Sequence, residues 1–270
     1  MIALDNRRIY TGKDICAVIP TAGKRMEALS RALTSVLNQS EMCGEIIVVW
    51  DSPSNPPDDL RRQRAVKVIH IKNDSKGVAG ARNSAILETN LAFIALLDDD
   101  DYWLPQKISK YVEAINSSPN ASFYLSRAEY LDECGDTLGV FPSKKYRHGV
   151  ALSSYLNNNI QIRRRRVSIP TSSYVFPRLG KNGVNVFDES IFLAEDLLLL
   201  LRLEQSSLQF YLVGSGALSV TTIYKQTEEG LSRRPIIFSD WMKIHEKYFS
   251  FLGLRAVSYT HLTLPTKRIV

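Results

Sequence analysis

The stretch LLDDDDYWLP, residues 96–105, places four consecutive carboxylates directly after the apolar run LAFIA at residues 91–95. A short apolar run with turn residues behind it is typical of a buried strand that ends in a loop. We therefore predict a strand whose end delivers Asp98–Asp101 to one edge of a sheet.

The spacing within this acidic run suggests a ligand. In extended backbone, side chains at positions i and i+2 point to the same side, so Asp98 and Asp100 are predicted to face one ligand while Asp99 points away. Adjacent carboxylates repel each other unless a cation or backbone N–H groups compensate, and Mg²⁺ is often held by one or two carboxylates plus substrate phosphates. The alternative is an acidic helix cap. We assign Asp98 and Asp100 to the ligand, and Asp101 to the cap of a helix through residues 106–108.

Apolar runs alternate with helical patterns through the first hundred residues, which predicts an α/β fold with a doubly wound, mostly parallel sheet and right-handed crossovers. The predicted strands are residues 14–21, 45–50, 66–71 and 91–95, and the predicted helices are residues 26–37 and 81–87.

Polar residues stand at three of the predicted strand ends. In doubly wound sheets, ligands bind beyond the carboxyl ends of the strands. Thr21, Asp51 and Asp98 occupy such ends and are expected to converge on one ligand. Gly77 and Gly80 are predicted to lie in the loop before a helix, where glycine lets the backbone approach a phosphate.

Length and composition fit an ordinary globular protein, with 270 residues, 44% of them hydrophobic and 23% charged. No apolar run approaches the roughly 20 residues of a membrane span, and the N-terminal residues lack the apolar core of a signal peptide. We expect a cytoplasmic protein, with peripheral contact at the inner face of the membrane as a further option. The widely spaced Cys16, Cys43 and Cys134 indicate reduced thiols rather than a disulfide framework or a zinc site.

The net charge of +6 fits nucleic acid, an anionic membrane surface or a phosphorylated substrate. The densest basic block, Arg163–Arg166, is either a solvated loop or a patch for pyrophosphate or anionic lipid headgroups. It has no interleaved aromatic residues of the kind that stack on bases, so no nucleic-acid partner is expected.

Several motifs, in order and at familiar intervals, resemble those of the family 2 inverting glycosyltransferases, which have a GT-A fold. The resemblance covers about residues 15–234. The motifs that carry it are Ile19-Pro20-Thr21, Val48-Val49-Trp50-Asp51-Ser52, residues 77–83 (GVAGARN), Leu97-Asp98-Asp99-Asp100-Asp101, residues 169–173 (IPTSS), Phe187-Asp188-Glu189 and Glu195-Asp196-Leu197.

The resemblance implies a role for individual residues. Thr21 and Asp51 would contact the base and ribose of a nucleotide, and Arg82 would lie near its diphosphate. Asp98 and Asp100 would be the metal-binding DXD motif for Mn²⁺ or Mg²⁺, and Asp196 would be the catalytic base. The full nucleotide-sugar site that it implies is Thr21, Asp51, Arg82, Asp98, Asp99 and Arg233, with Ser232 as a further diphosphate contact.

Two departures from the family pattern affect base recognition. The family often has an aromatic residue and Asn where this chain has Ala22-Gly23, and often a second acid where Trp50 stands. The Gln-x-x-Arg-Trp motif of processive synthases is not found, which favours transfer of one sugar per encounter.

Asp196 also has a purely structural interpretation. Glu195 and Asp196 open an apolar helix, and acids are favoured at helix N-termini in any protein. A carboxylate at the edge of an apolar helix is also partly desolvated, which suits a general base. The choice of Asp196 over Glu195 rests on the resemblance alone.

The expected organisation is one GT-A catalytic domain at residues 1–235. Its nucleotide-sugar-binding half is residues 14–105, and its acceptor-binding half, with irregular loops, is residues 106–235. A C-terminal helix is expected at residues 236–256. Residues 257–270 resemble translated sequencing adaptor and are expected to be non-native.

The expected reaction is metal-dependent, inverting transfer of a sugar from a nucleotide-diphosphate donor to a glycan or lipid-linked acceptor, in bacterial surface polysaccharide or glycoconjugate synthesis. Two alternatives stay open. A sugar nucleotidyltransferase shares this type of sheet, and residues 22–26 (AGKRM) suggest its loop, although a further glycine would be needed where Lys24 stands. A non-catalytic glycan-binding module on the same fold is the other.

Overall fold

The protein was examined as a computed structural model, which describes residues 8–72, 77–119, 121, 123–132, 134–142, 169–178, 186–191, 195–205 and 210–223. The strands are β1 Ile15–Thr21, β2 Glu45–Asp51, β3 Lys67–Ile71, β4 Phe93–Leu96, β5 Tyr102–Trp103, β6 Phe123–Asp132, β7 Thr137–Phe141, β8 Tyr174–Pro177 and β9 Phe210–Ile223. The α-helices are α1 Met26–Leu37, α2 Asp58–Arg62, α3 Gly77–Glu88, α4 Lys107–Ser117 and α5 Glu195–Gln205. Short 3₁₀ helices occupy Gly12–Asp14 and Thr171–Ser173.

The strands form one nine-stranded sheet in the order β3-β2-β1-β4-β8-β6-β9-β5, with β7 paired to β6. Strands β1 to β4 are parallel, as expected. The remainder is mixed, because β8 runs antiparallel to both β4 and β6, and β5 runs antiparallel to β9. The predicted α/β class and Rossmann-like GT-A architecture are confirmed, and parallel pairing is found among β1 to β4 and between β6 and β9.

Both faces of the sheet are covered by helices, which explains why its central strands are apolar throughout. Along β1, Ile15, Ala17 and Ile19 pack with α1 and α4 on one face. Cys16 and Val18 pack with α3 and α5 on the other face. All five side chains are fully buried, so β1 lies in the middle of the core, as expected for a doubly wound sheet.

Two local predictions near the sheet edge were wrong. Helix α3 begins at Gly77 rather than after Gly80, because the small residues from Ala79 to Ala81 are buried where the helix packs on the sheet. Helix α4 begins at Lys107, so Asp101 is not its cap. Instead, Tyr102–Trp103 pairs with β9 as β5. The chain between β2 and β3 contains the short helix α2.

Several predicted features lie outside the described residues: the Arg163–Arg166 block, Ser232, Arg233, the C-terminal helix at 236–256 and the tail at 257–270. Within the described ranges, no helix is both long enough and apolar enough to cross a bilayer. All three cysteines are free thiols, with Cys16 and Cys43 buried and Cys134 exposed.

Candidate active site at the carboxyl edge of the sheet

Residues Asp98–Asp101, termed the acidic turn, follow β4 at the carboxyl edge of the parallel strands. The Asp101 backbone N–H donates to the Asp98 carbonyl oxygen at 3.1 Å, which closes the segment into a turn. The expectation of extended backbone with alternating side chains was therefore wrong. Because the chain bends here, Asp98 pairs with Arg82, whereas Asp99 and Asp100 share Arg25.

Two carboxylates of the acidic turn, Asp99 and Asp100, face the end of β1 and the loop that follows it. The Thr21 hydroxyl donates to Asp99 Oδ2 at 2.6 Å. Arg25 Nη2 donates to Asp99 Oδ1 at 2.5 Å, and Arg25 Nη1 forms an ion pair with Asp100. Arg25 was not identified from the sequence, since nothing in its local pattern indicates a partner 74 residues away.

Burial governs the protonation behaviour of these carboxylates. It raises the pKa of Asp100 to about 6, because the lowering effect of Arg25 is offset by repulsion from Asp98 and Asp99. Burial also raises the pKa of Asp99, against the lowering effects of Arg25 and of the Thr21 hydrogen bond. Arg25 therefore stabilises the charged forms of Asp99 and Asp100, whereas burial and the neighbouring aspartates destabilise them.

Arg82 joins the acidic turn to the first residue of α5. Its side chain is only 2% exposed, with Nη2 donating to Asp98 Oδ1 at 2.6 Å and Nη1 to Glu195 Oε1 at 2.5 Å. Burial alone would lower the pKa of Arg82, but Asp98 and Glu195 outweigh it and raise that pKa above its usual value. Both terminal nitrogens of Arg82 are thus engaged with carboxylates, at the position expected to lie near a diphosphate.

Asp196 is the second residue of α5 and is partly exposed. Burial raises the pKa of Tyr174 well above its usual value, and the charge of Asp196 adds to that rise. Burial lowers the pKa of Arg82, and the charge of Asp196 adds to the larger raising effects of Asp98 and Glu195. The charge of Asp196 therefore acts on both Tyr174 and Arg82.

Ser172 holds the acidic turn from the other half of the sheet. Its hydroxyl oxygen accepts from the Asp98 backbone N–H at 3.0 Å, and the hydroxyl donates to the Asp101 carboxylate. Its carbonyl oxygen accepts from Trp103 Nε1 at 3.1 Å. Asp101 is thus a buried anchor of the turn, which replaces its predicted role as a helix cap.

Asn83 fixes the segment that precedes α5. Its side-chain amide nitrogen donates to the Phe187 carbonyl oxygen and to Glu189 Oε1, each at 2.9 Å. Its side-chain oxygen accepts from the Phe187 backbone N–H at 2.9 Å. Of two neighbouring residues of α3, Asn83 thereby contacts Phe187 and Glu189, and Arg82 contacts Glu195 and the acidic turn.

The two departures from the family pattern lie against each other beside Thr21. Gly23 has a φ of +72°, and a Cβ built there would come within 2.4 Å of the Trp50 ring. Trp50 is buried, and its Nε1 donates to the Ser54 carbonyl oxygen at 2.7 Å. The Trp50 ring therefore fills the space that a side chain at position 23 would need. This contact lies next to the partly exposed Asp51 at the end of β2.

The donor set of Asp98 and Asp100 is compatible with a divalent metal. Their side chains are 31% and 23% exposed, and each has one oxygen in an arginine ion pair. Hard carboxylate oxygens suit Mg²⁺ and Mn²⁺. No group of three or more acidic, His or Cys side chains in the described part of the chain could hold a metal, so a metal at these two carboxylates would draw further ligands from a diphosphate and water.

The described geometry thus brings together Thr21, Arg82, the acidic turn and Asp196, and places Asp51 at the adjacent strand end. Arg25, Ser172 and the contact of Glu195 with Arg82 were not identified from the sequence. A GT-A α/β sheet with an acidic turn at its carboxyl edge is the architecture of nucleotide-sugar-dependent glycosyltransferases.

The sequence model of glycosyl transferase family 2 matches residues 16–168. The chain belongs to this family, which confirms the predicted resemblance. This membership removes the basis for the sugar nucleotidyltransferase alternative.

Curated relatives are also glycosyltransferases. An uncharacterised glycosyltransferase of Methanocaldococcus jannaschii is 27% identical over 138 residues, 49% of this chain and 48% of the relative. WfaP of Escherichia coli, a UDP-Glc:α-D-GlcNAc-diphosphoundecaprenol β-1,3-glucosyltransferase, is 30% identical over 146 residues, 53% of this chain and 57% of the relative. The chain thus spans about half the length of these relatives.

Solved structures share the fold. The S. aureus TarS fragment 1–349 in complex with UDP-GlcNAc matches with a TM-score of 0.67 and 16% identity, over 92% of this chain and 68% of that one. The same fragment with UDP matches with a TM-score of 0.60 and 17% identity, over 77% of this chain and 60% of that one.

Proposed function

We propose that this chain transfers a sugar from a nucleotide-diphosphate donor to an acceptor hydroxyl, with inversion at the anomeric carbon. The observation that carries the proposal is the Arg82 bridge, which ties Asp98 of the acidic turn to Glu195, the residue before Asp196. A donor-side acid and the first turn of the helix that carries the expected base are thereby held by one buried side chain. The relatives support a UDP-sugar donor, since WfaP is named for UDP-Glc and TarS has been solved with UDP-GlcNAc.

The nucleotide is proposed to lie across the strand ends. Thr21 and Asp51 would contact its base and ribose, and Asp99, which Thr21 and Arg25 hold, would complete that side of the site. Asp98 and Asp100 would hold a divalent metal, Mn²⁺ or Mg²⁺, which when bound offsets negative charge on the departing diphosphate. Arg233 stays a predicted donor contact outside the described residues.

The transfer needs one base and no protein nucleophile. Asp196 accepts the proton of the acceptor hydroxyl as its oxygen bonds to the anomeric carbon and the bond from that carbon to the diphosphate oxygen breaks. Attack from the face opposite the leaving group inverts the configuration. Glu195 is buried against Arg82, whereas Asp196 is partly exposed and can be reached by an acceptor hydroxyl, which supports Asp196 as the base.

The acceptor is proposed to be a glycan or a lipid-linked glycan, with one sugar added per encounter. WfaP is named for a diphosphoundecaprenol-linked acceptor, and a Bacillus subtilis relative, TuaG, for teichuronic acid biosynthesis. Both names support a role in surface polysaccharide synthesis. Action in the cytoplasm at the inner membrane face stays a prediction.

The test follows donor consumption by proton NMR, with UDP-glucose and UDP-N-acetylglucosamine in Mn²⁺ and water as the acceptor hydroxyl. Because these donors carry the α configuration, inversion releases the β sugar first. Asp196→Asn should lower consumption at least about 100-fold, while the control Asp58→Asn, on exposed helix α2, should match the wild type. An α sugar released first, or an unaffected Asp196→Asn variant, would refute the mechanism. Consumption of neither donor would favour the glycan-binding alternative.

A further inference from the structure

Two arginines neutralise the acidic turn, and they differ in accessibility. Arg82 is 2% exposed and is locked between Asp98 and Glu195. Arg25 is 36% exposed, and the side chains of its partners Asp99 and Asp100 are 7% and 23% exposed. Arg82 is thus a permanent part of the core, whereas the Arg25 side chain can leave its partners without opening the core.

Arg25 occupies the carboxylate that a metal would need. One terminal nitrogen contacts Asp99 Oδ1 at 2.5 Å, and the other pairs with Oδ2 of Asp100. Asp100 is one of the two acids proposed above to hold a divalent metal. A guanidinium and a divalent cation near the same oxygens repel each other, so each weakens the binding of the other to Asp100.

A diphosphate offers Arg25 an equivalent partner. A guanidinium forms bidentate hydrogen bonds to phosphate as readily as to carboxylate. Arg25 also stands at the N-terminus of α1 directly after the β1 loop, at the strand edge where the proposed nucleotide lies. Moving from the acidic turn to the phosphate would exchange one anionic partner for another.

We propose that Arg25 is an exchangeable counter-cation, which occupies Asp100 until a divalent cation and a diphosphate bind, and then pairs with the diphosphate. This rests on the proposed donor site. The consequence is positive coupling: a diphosphate that takes Arg25 frees Asp100 for the metal, and the metal in turn frees Arg25 for the diphosphate.

The test measures Mn²⁺ binding to the full chain without nucleotide, by the electron paramagnetic resonance signal of free Mn²⁺. Arg25→Gln should bind Mn²⁺ roughly 5–20-fold more tightly than the wild type, because the competing cation is gone. Arg25→Lys, which keeps the charge but cannot bridge both carboxylates, should fall between. The matched control is Arg31→Gln, which removes the same charge. Among the described residues, the Arg31 guanidinium donates to the Asp100 backbone oxygen at 2.9 Å and lies over the Tyr102 ring, and it pairs with no carboxylate.

A second measurement in the same variants tests the exchange itself. Calorimetry with UDP at saturating Mn²⁺ should show weaker UDP binding in Arg25→Gln and unchanged binding in Arg31→Gln. Mn²⁺ binding in Arg25→Gln that is no tighter than in the wild type would overturn the proposal, and so would undiminished UDP binding. If Arg25→Gln does not unfold cooperatively in EDTA, the Mn²⁺ and UDP affinities of Arg25→Lys, compared with those of the wild type, test the proposal instead. Failure of the wild type to bind any nucleotide would instead refute the donor site.

Discussion

Lys107 is a buried cation that the proposed reaction does not use. It is fully buried at the start of α4, with Nζ 4.4 Å from the Tyr111 ring centroid and 5.3 Å from that of Trp103. Burial lowers the pKa of Lys107 well below 10.5, although Cys43 and Asp101 act in the opposite direction. The aromatic rings and Asp101 therefore only partly compensate its desolvation.

This lowered pKa makes stability depend on pH in a defined direction. Between the folded-state pKa of Lys107 and 10.5, the unfolded chain binds a proton that the folded chain does not, so this lysine makes wild-type stability rise with pH. Lys107→Met should be more stable than the wild type at pH 7 by about 1–3 kcal/mol, and this advantage should shrink towards pH 10. Urea unfolding at several pH values measures both effects.

The control for this prediction lies on the same helix. Lys110 is 42% exposed and pairs with Glu113, so Lys110→Met should change stability by less than about 0.5 kcal/mol and leave its pH dependence as it is in the wild type. A Lys107→Met variant that is less stable at pH 7 would mean that the aromatic rings more than compensate the buried charge.

At the scale of elements, the acidic turn is held by a 3₁₀ helix from the far half of the sheet. The Thr171–Ser173 helix lies directly before β8, which pairs with β4. Strand pairing thereby places Ser172 next to the end of β4. Such outer partners set the orientation of ligand carboxylates, and their loss commonly costs 10–100-fold in metal affinity.

Ser172→Ala should therefore weaken Mn²⁺-dependent UDP binding by roughly 10–100-fold, measured by calorimetry. Ser173→Ala is the matched control, because both residues are fully buried while the Ser173 hydroxyl donates only within its own turn, to the Pro170 carbonyl oxygen at 2.7 Å. Equal losses of UDP affinity in the two variants would mean that Ser172 acts through general packing rather than by holding the acidic turn.

The same scale explains which elements could be predicted. Strands β1 to β4 were predictable because each is an apolar run between turn residues. The starts of α3 and α4 could not be predicted, because tertiary packing determines them. Residues 79–81 of α3 are buried, and Tyr102–Trp103 pairs with β9 as a strand. Local propensity competes poorly with such contacts.

For the whole molecule, the site residues were partly predictable and their pairing was not. Thr21, Asp51 and Asp98 stand at strand ends, which a doubly wound fold brings to one edge. Partners such as Arg82 and Glu195 are 113 residues apart, however, and no periodicity in a single sequence indicates such contacts. An apolar run at residues 174–176 predicts strand β8, but its antiparallel pairing with β4, which brings Ser172 to the acidic turn, could not be predicted.

The experiment of first choice is calorimetric titration of UDP into the purified chain, in Mn²⁺ and in EDTA, repeated on the Asp98→Ala/Asp100→Ala double variant. The control Asp58→Ala/Asp59→Ala removes two exposed acids from α2, and GDP and dTDP serve as competing nucleotides. UDP binding that requires Mn²⁺, disappears in Asp98→Ala/Asp100→Ala and persists in the control is the expected result. UDP binding that survives EDTA and the loss of both acids would contradict a metal-dependent donor site at the acidic turn.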